Sequence, residues 1–245
     1  MKKLLGNIRR IIDDYDMIQD NDRIAIGVSG GKDSVSTLIL LNELSKFYPR
    51  HFTVTGIMLD MGFPGFDSMT IENFFKERSI EFHTVKTHIG EIVFDRRNEK
   101  NPCALCSNMK RGALHNASLE LGINKLALGH HNDDAVETFI MNIIFEGRIG
   151  CFSPVTYLDR KNITVIRPML YINEKEISSF VKRYDIPTIS SSCPQDGISS
   201  REVIKQKIKE IEKEYPDIKQ KITGAIQKSK TDGWNYFPKS RKKDY

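Results

Sequence analysis

Three clusters in this 245-residue chain have the residue types and spacing for chemistry. The first is Ser29-Gly30-Gly31-Lys32-Asp33-Ser34, which follows an apolar run at 24–28 and opens a helical pattern through Leu38, Leu41 and Leu44. A strand, a glycine turn and a helix start together form an anion site: glycines let backbone N–H groups come close, and the helix N-terminus adds its dipole. Lys32 supplies a point charge, and Ser29 and Ser34 supply hydroxyl donors. The second cluster is Gly129-His130-His131-Asn132-Asp133-Asp134, again between a strand and a helix. An acid pair there serves the helix dipole from the first turn, or holds a divalent cation on a phosphate, since magnesium takes oxygen ligands and few of them from protein.

The third cluster is built on thiols. Cys103-Ala104-Leu105-Cys106 opens a helix and is followed by Lys110-Arg111-Gly112; a helix start with nearby cations favours thiolate. Cys193 adds a third thiol among the turn formers Ser190 to Gly197. The Cys-x-x-Cys pair alone suits a thioredoxin-like couple, half a zinc site or two buried thiols. Three thiols suit an iron–sulfur cluster with one open iron, or zinc with a borrowed fourth ligand. Cys151, in Gly-Cys-Phe-Ser-Pro, reads as structural.

These clusters need elements to bring them together. The pattern predicts strands at 24–28, 52–60, 80–85, 125–128 and 163–166, and helices at the N-terminus, after Ser34, at 67–78, 103–121, 133–145 and 174–184. Strands alternating with helices of this length predict an α/β fold, a doubly wound, mostly parallel sheet. The phosphate-binding turn Ser29–Ser34, the end of the second strand at Asp60-Met61, and the Gly129–Asp134 turn then fall at strand ends, where such sheets bind ligands, and would converge on one pocket. From Ile198 onward the character becomes lysine-rich and helical, broken at Tyr215-Pro216, which divides the chain into 1–197 and a C-terminal segment 198–245.

Composition sets the outer bounds. Hydrophobic residues make up 39% and charged ones 28%, as in a globular protein with a real core. There is no run of apolar residues long enough to cross a membrane, and the N-terminus reads as an amphipathic helix, so the cytoplasm is the expected location. The net charge of +5 is compatible with RNA. Lys228, Lys230, Lys239, Arg241, Lys242 and Lys243 crowd the end of the chain, as a solvated tail or a phosphate-binding arm. Trp234, Tyr236 and Phe237 read better as an anchor to the core than as a base-stacking platform. Cytosolic cysteines point to metal or redox chemistry rather than disulfides.

The first cluster is not a Walker A loop, because Ile26 stands where its first glycine belongs and Asp33 where its Ser or Thr belongs. It resembles instead the S-G-G-x-D-S signature of the PP-loop ATP pyrophosphatases, which split ATP between its α- and β-phosphates and pass AMP to a substrate oxygen. The likeness tightens over C-A-L-C-S-N-M-K-R-G-A-L, K-L-A-L-G-H-H-N-D-D, E-G-R, I-R-P-M-L, and Cys193 with Arg201. Over roughly residues 17–209 the chain is similar to the tRNA 2-thiocytidine synthetases.

That resemblance implies ATP and Mg²⁺ as cofactors and a [4Fe–4S] cluster on Cys103, Cys106 and Cys193. It implies nucleotide binding by Ser29, Gly30, Gly31, Lys32, Asp33, Ser34, Leu59, Asp60, Gly129, His130 and Asp134. Catalytic roles fall on Asp60, Lys110, Asp133 and Asp134. The substrate is a tRNA, adenylated at the C2 oxygen of a pyrimidine, cytidine 32 by likeness, and then thiolated. Sulfide or a cysteine desulfurase supplies sulfur, and a homodimer is compatible with the chain. Members of this family often carry a cysteine pair in the downstream loop; here Ser190 stands in the partner's place, and three ligands survive. The zinc-finger cysteines of the archaeal and thermophile 2-thiouridine branch are absent. Lysidine synthetase, which also adenylates a tRNA cytidine, has no need of three cysteines. A non-catalytic iron–sulfur nucleotide sensor has no need of the complete phosphate loop.

Overall fold

β1 (Asp22–Val28) lies at the centre of the sheet and is apolar on both faces, as a strand covered from both sides must be. Ile24, Ile26 and Val28 enter the main core, and Ala25 enters a smaller one behind it. In the computed structural model, which describes residues 1–63, 65–96, 102–189, 193 and 200–234, six strands follow the order β3-β2-β1-β4-β6-β5. β1 pairs in parallel with β2 (Phe52–Asp60) and β4 (Lys125–Ala127); β3 (Phe82–Lys86) and β6 (Ile163–Ile166) extend the two sides, also in parallel. β5 (Val155–Leu158) closes one edge antiparallel to β6. The doubly wound α/β fold is therefore as expected. β5 was not among the expected strands: it is a half-exposed edge of four residues with no alternation of apolar and polar positions.

Helices cover both faces. α1 (Lys2–Asp14) buries Leu4, Ile8, Ile11 and Ile12, a stripe at helical spacing, against the main core. α2 (Lys32–Ser45), α3 (Met69–Glu77) and α6 (Glu174–Arg183) pack into the same core. On the other face α4 (Pro102–Glu120) lays Leu114 and Ala117 against Ala25, Ile57 and Leu126. α5 (Asn132–Glu146) receives α7 (Ser200–Glu214) and α8 (Ile218–Ser229), with Val136 against Ile204 and Ile208. A short π-helical turn, Glu91–Arg96, was not foreseen.

Trp234 is fully buried, donates its indole N–H to the Phe152 carbonyl at 2.8 Å and meets Tyr15 edge-on, so it anchors the core. Tyr236, Phe237, Ser190, the basic positions from Lys239 onward and the expected 197/198 boundary lie outside the described residues. Among the described residues no helix is long and apolar enough to cross a membrane.

Strand order reverses at β1, from which the sheet runs out to β2 and β3 on one side and to β4, β6 and β5 on the other. The crevice outside the carboxyl ends of β1 and β4 is where such a sheet leaves room for a ligand.

Candidate nucleotide and thiol site

The first turn out of β1 is held in shape by its own serines. Ser34, buried at the start of α2, accepts the Ser29 N–H at 3.0 Å and donates to the Gly31 carbonyl at 3.0 Å. Gly30 has φ +84°, and a Cβ there would meet Ile189 at 3.0 Å, so the turn needs glycine for both conformation and space. Gly30 also accepts the Ile189 N–H at 2.9 Å, which ties the stretch leading to Cys193 onto the loop.

The turn out of β4 packs on the first. A Cβ on Gly129 would stand 3.0 Å from the Asp33 backbone carbon and from Thr37 Oγ1, so only glycine lets the two turns touch. α5 then starts with a reciprocal cap: His131 Nδ1 accepts the Asp134 N–H at 3.4 Å, and Asp134 Oδ2 accepts the His131 N–H at 2.9 Å. The two adjacent acids diverge. Asp133 is buried, accepts the Glu174 N–H at 2.7 Å and pairs with Lys219 at 2.9 Å. Asp134 faces the crevice, with Arg201 of α7 at 3.3 Å.

Between these turns and α4 lies a cavity of about 620 Å³. Ser29, Gly31, Asp33, Ser34, Leu59, Lys110, Gly129, His130, Asp134 and Cys193 all line it, so three clusters distant in sequence converge. Of the remaining expected site residues, Gly30 shapes the loop from beneath. Lys32 rests on Asp33 at 3.1 Å and Glu174 at 3.0 Å. Asp60 is not on the cavity wall: its carboxylate accepts the Gly62 N–H at 2.9 Å and its carbonyl accepts the Thr87 N–H at 2.8 Å, shaping the loop after β2. Asp133 is likewise turned away and committed to Lys219 and α6.

Met61, expected at a strand end of the pocket, does line it, but the sequence reading missed the rest of the apolar wall: Phe63 and Phe66 of the loop after β2, with Leu114, Leu128 and Ile189. Two phenylalanines in a glycine-rich loop were the available signal, since a loop has little reason to carry apolar side chains unless they cover something. Glu174, Glu137 and Lys205 were also missed as members of the charged network beside the loop.

Electrostatics differ around the wall. Burial, reinforced by the Arg167 cation, pushes His130 down to about 4, so it is neutral at pH 7; its Nδ1 is buried and has no hydrogen-bond partner among the described residues. Burial also raises Glu137, which Arg201 approaches at 3.4 Å. Asp33 Oδ1 is buried and accepts no hydrogen bond among the described residues, with His131 Nε2 3.7 Å away.

None of the four cysteines is joined in a disulfide. Cys151 is buried, and burial pushes its thiol up to about 12, in keeping with a structural role. Burial raises Cys106 as well, while Lys110 pulls it down and the charges of Cys193 and Cys103 push it up: the three thiols lie within electrostatic reach of one another. Among the described residues, no three His, Cys, Asp or Glu side chains are gathered at metal-ligand spacing. The residues on either side of Cys193 lie outside the described set. The thiol set fits a soft iron–sulfur group by donor chemistry. The buried Asp33 oxygen, without a hydrogen bond among the described residues and on the same cavity as Asp134, fits a hard cation that keeps waters and phosphate oxygens as its other ligands.

A model of the PP-loop domain matches residues 2–212. The tRNA-cytidine(32) 2-sulfurtransferase of Geobacter sulfurreducens is 36% identical over 228 residues, covering 92% of this chain and 89% of that protein. The chain belongs to this PP-loop family. The enzyme of the same name from Geotalea daltonii is 39% identical over 228 residues, covering 92% and 90%. Among solved structures, the U34-tRNA thiolase NcsA from Methanococcus maripaludis, determined with its [4Fe-4S] cluster, superposes with a TM-score of 0.75 at 27% identity, over 91% of this chain and 77% of NcsA. The NH3-dependent NAD synthetase of Campylobacter jejuni matches with a TM-score of 0.51 at 12% identity over 93% of each chain, a likeness of fold alone.

Proposed function

We propose that this protein is an ATP-dependent tRNA sulfurtransferase that adenylates the C2 oxygen of cytidine 32 and replaces it with sulfur. The observation that carries the reading is the shared cavity: a phosphate loop on one wall, and on the facing wall Lys110 and Cys193, within electrostatic reach of Cys106. An adenylating enzyme with another nucleophile has no use for thiols there.

The N–H groups of the Gly30-Gly31 turn and the α2 N-terminus bind the triphosphate, and Lys32 stabilises charge on the departing pyrophosphate. Asp33 and Asp134 would hold Mg²⁺, which when bound supplies positive charge to offset that of the triphosphate. Leu59, Met61, Phe63 and Phe66 give the adenine an apolar seat, and Asp60 shapes that seat through the Gly62 turn. Neutral His130 offers the base a hydrogen bond without adding charge. Lys110 steadies negative charge at the reacting carbon, and Arg111 on the same wall meets tRNA phosphate. Cys103, Cys106 and Cys193 would hold a [4Fe–4S] cluster, which when bound supplies an open iron for sulfur. The sulfur comes from sulfide or from a cysteine desulfurase. The basic α7–α8 segment extends the tRNA surface, and a dimer would present two such surfaces.

The test is a single-turnover reaction under strict anaerobiosis with reconstituted protein, unmodified tRNA, Mg-ATP and sulfide, followed by mass spectrometry of the nucleosides. The expected product is 2-thiocytidine at position 32, absent with Cys103→Ala while tRNA-dependent pyrophosphate release persists. ATP cleaved to AMP without any thionucleoside would sink the thiolation reading.

A further inference from the structure

Glu174 opens α6 behind the phosphate loop, and one of its oxygens serves two lysines. Oε1 accepts Lys32 Nζ at 3.0 Å and Lys205 Nζ, from α7, at 2.9 Å. We propose that Glu174 is a positioning residue that competes with the ATP triphosphate for Lys32, and that Lys205 sets how strongly it competes. The proposal rests on the reading of the cavity as an ATP site.

Glu174 cannot follow Lys32 into the cavity. Its backbone N–H is fixed on Asp133 Oδ2 at 2.7 Å, and α6 is locked by a reciprocal cap between Asn173 and Glu176. Its carboxyl is held down to about 2: burial alone would raise it, but hydrogen bonds from Lys205 and Lys32 outweigh burial. Lys32 is held charged in turn; burial lowers its pKa, and Asp33 and Glu174 more than offset that. A triphosphate that recruits Lys32 must therefore draw it off a fixed, ionised partner. Lys205 weakens that partner's grip, because two ammonium groups on one oxygen repel and share its charge. Asp133, Glu137 and Lys219 line a gap of about 20 Å³ beside Glu174 and Lys205, whose side chains remain about a quarter exposed.

The consequence is a pair of substitutions with opposite signs. Glu174→Gln releases Lys32, and the Mg²⁺ complex of α,β-methylene-ATP, which cannot be split at the bond this family cleaves, should bind about five-fold tighter. Lys205→Met leaves Glu174 wholly to Lys32, and the same complex should bind several-fold more weakly. Because Lys205 acts through Glu174, Lys205→Met should lose its effect in the Glu174→Gln background. A merely structural role for either residue would weaken binding in both single variants.

Titration calorimetry of the full chain reads all four proteins. Glu174→Asp, which keeps the charge but draws it back from Lys32, gives a second reading with intermediate tightening if Glu174→Gln fails to fold. Tighter binding in the Glu174 variants, weaker binding in Lys205→Met and collapse of the Lys205 effect in the double variant support the proposal. Unchanged or weaker binding in the Glu174 variants, or a Lys205 effect that survives loss of Glu174, overturns it. Wild-type protein that does not bind the analogue would overturn the ATP reading first, which separates the two failures.

Discussion

The two ends of the β1–β4 pair handle buried charge in opposite ways. At the amino end Asp22 and Lys125, both buried, pair at 2.7 Å. Lys125 also donates to the Met17 carbonyl at 2.8 Å, and Asp22 accepts the Gln19 N–H at 2.6 Å and the Asn124 amide at 2.8 Å. Each charge there has protein partners on more than one side, the condition under which a buried ion pair is tolerated. At the carboxyl end Asp33 Oδ1 and His130 Nδ1 are buried without a hydrogen-bond partner among the described residues, and Lys32 shares its acceptor with Lys205. Unsatisfied polar atoms cost stability, so a fold keeps them only where something else will complete them. The same two strands thus carry a finished structural pair at one end and an unfinished, ligand-shaped one at the other.

Substitutions should divide along that line. Lys32→Ala ought to cut tRNA-dependent pyrophosphate release by about 10²–10³-fold, the scale of losing one preorganised charge contact in a transition state. Its urea midpoint should stay close to wild type. A large loss of stability would mean that the carboxyl end is structural after all. Lys125→Met should do the reverse: stability falls by roughly 3–5 kcal/mol because Asp22 is left charged and unpaired, while the folded fraction keeps its ATP affinity. Urea unfolding followed by calorimetry on the same samples checks both halves.

A smaller effect is expected from pH. The folded His130 is depressed to about 4 from an ordinary value of 6.5, so the unfolded chain takes up a proton that the folded one refuses. That contribution to stability is complete above about pH 6.5 and is lost as the pH falls towards 4. His130→Phe should flatten the fall by a few degrees of melting midpoint. An identical pH profile for the variant would place the acid sensitivity elsewhere.

Much of this was legible in the residues. The five parallel strands announced themselves as apolar runs between helical patterns, and both glycine turns and the thiols were visible because local spacing encodes them. β5 was not, since a short, half-exposed edge strand containing Tyr157 and Thr156 has no period to detect. Asp133 and Asp134 were indistinguishable as a pair. Helical rotation alone turns one towards Lys219 and the other towards the cavity, and that requires knowing where α5 starts. The role expected of Asp60 came from resemblance, and the contact its carboxylate makes with the Gly62 N–H is one that no local spacing announces. Glu174 and Lys205 carry no local signal at all, because their partners are brought by folding from other helices and turns; Arg201 was marked by resemblance alone, and its place beside Asp134 was not.

Trp234 has a consequence for how the site comes into being during synthesis. It is fully buried among residues from early in the chain and grips the Phe152 carbonyl, while the Phe152 ring lies 4.9 Å from His130 on the cavity wall. Every motif residue, Arg201 included, leaves the ribosome before this tryptophan does. A nascent chain therefore holds the complete set of chemical groups for a time without the buttress that backs His130. A premature stop just ahead of Trp234 would yield a protein that looks intact by its motifs and is loose at the wall that matters.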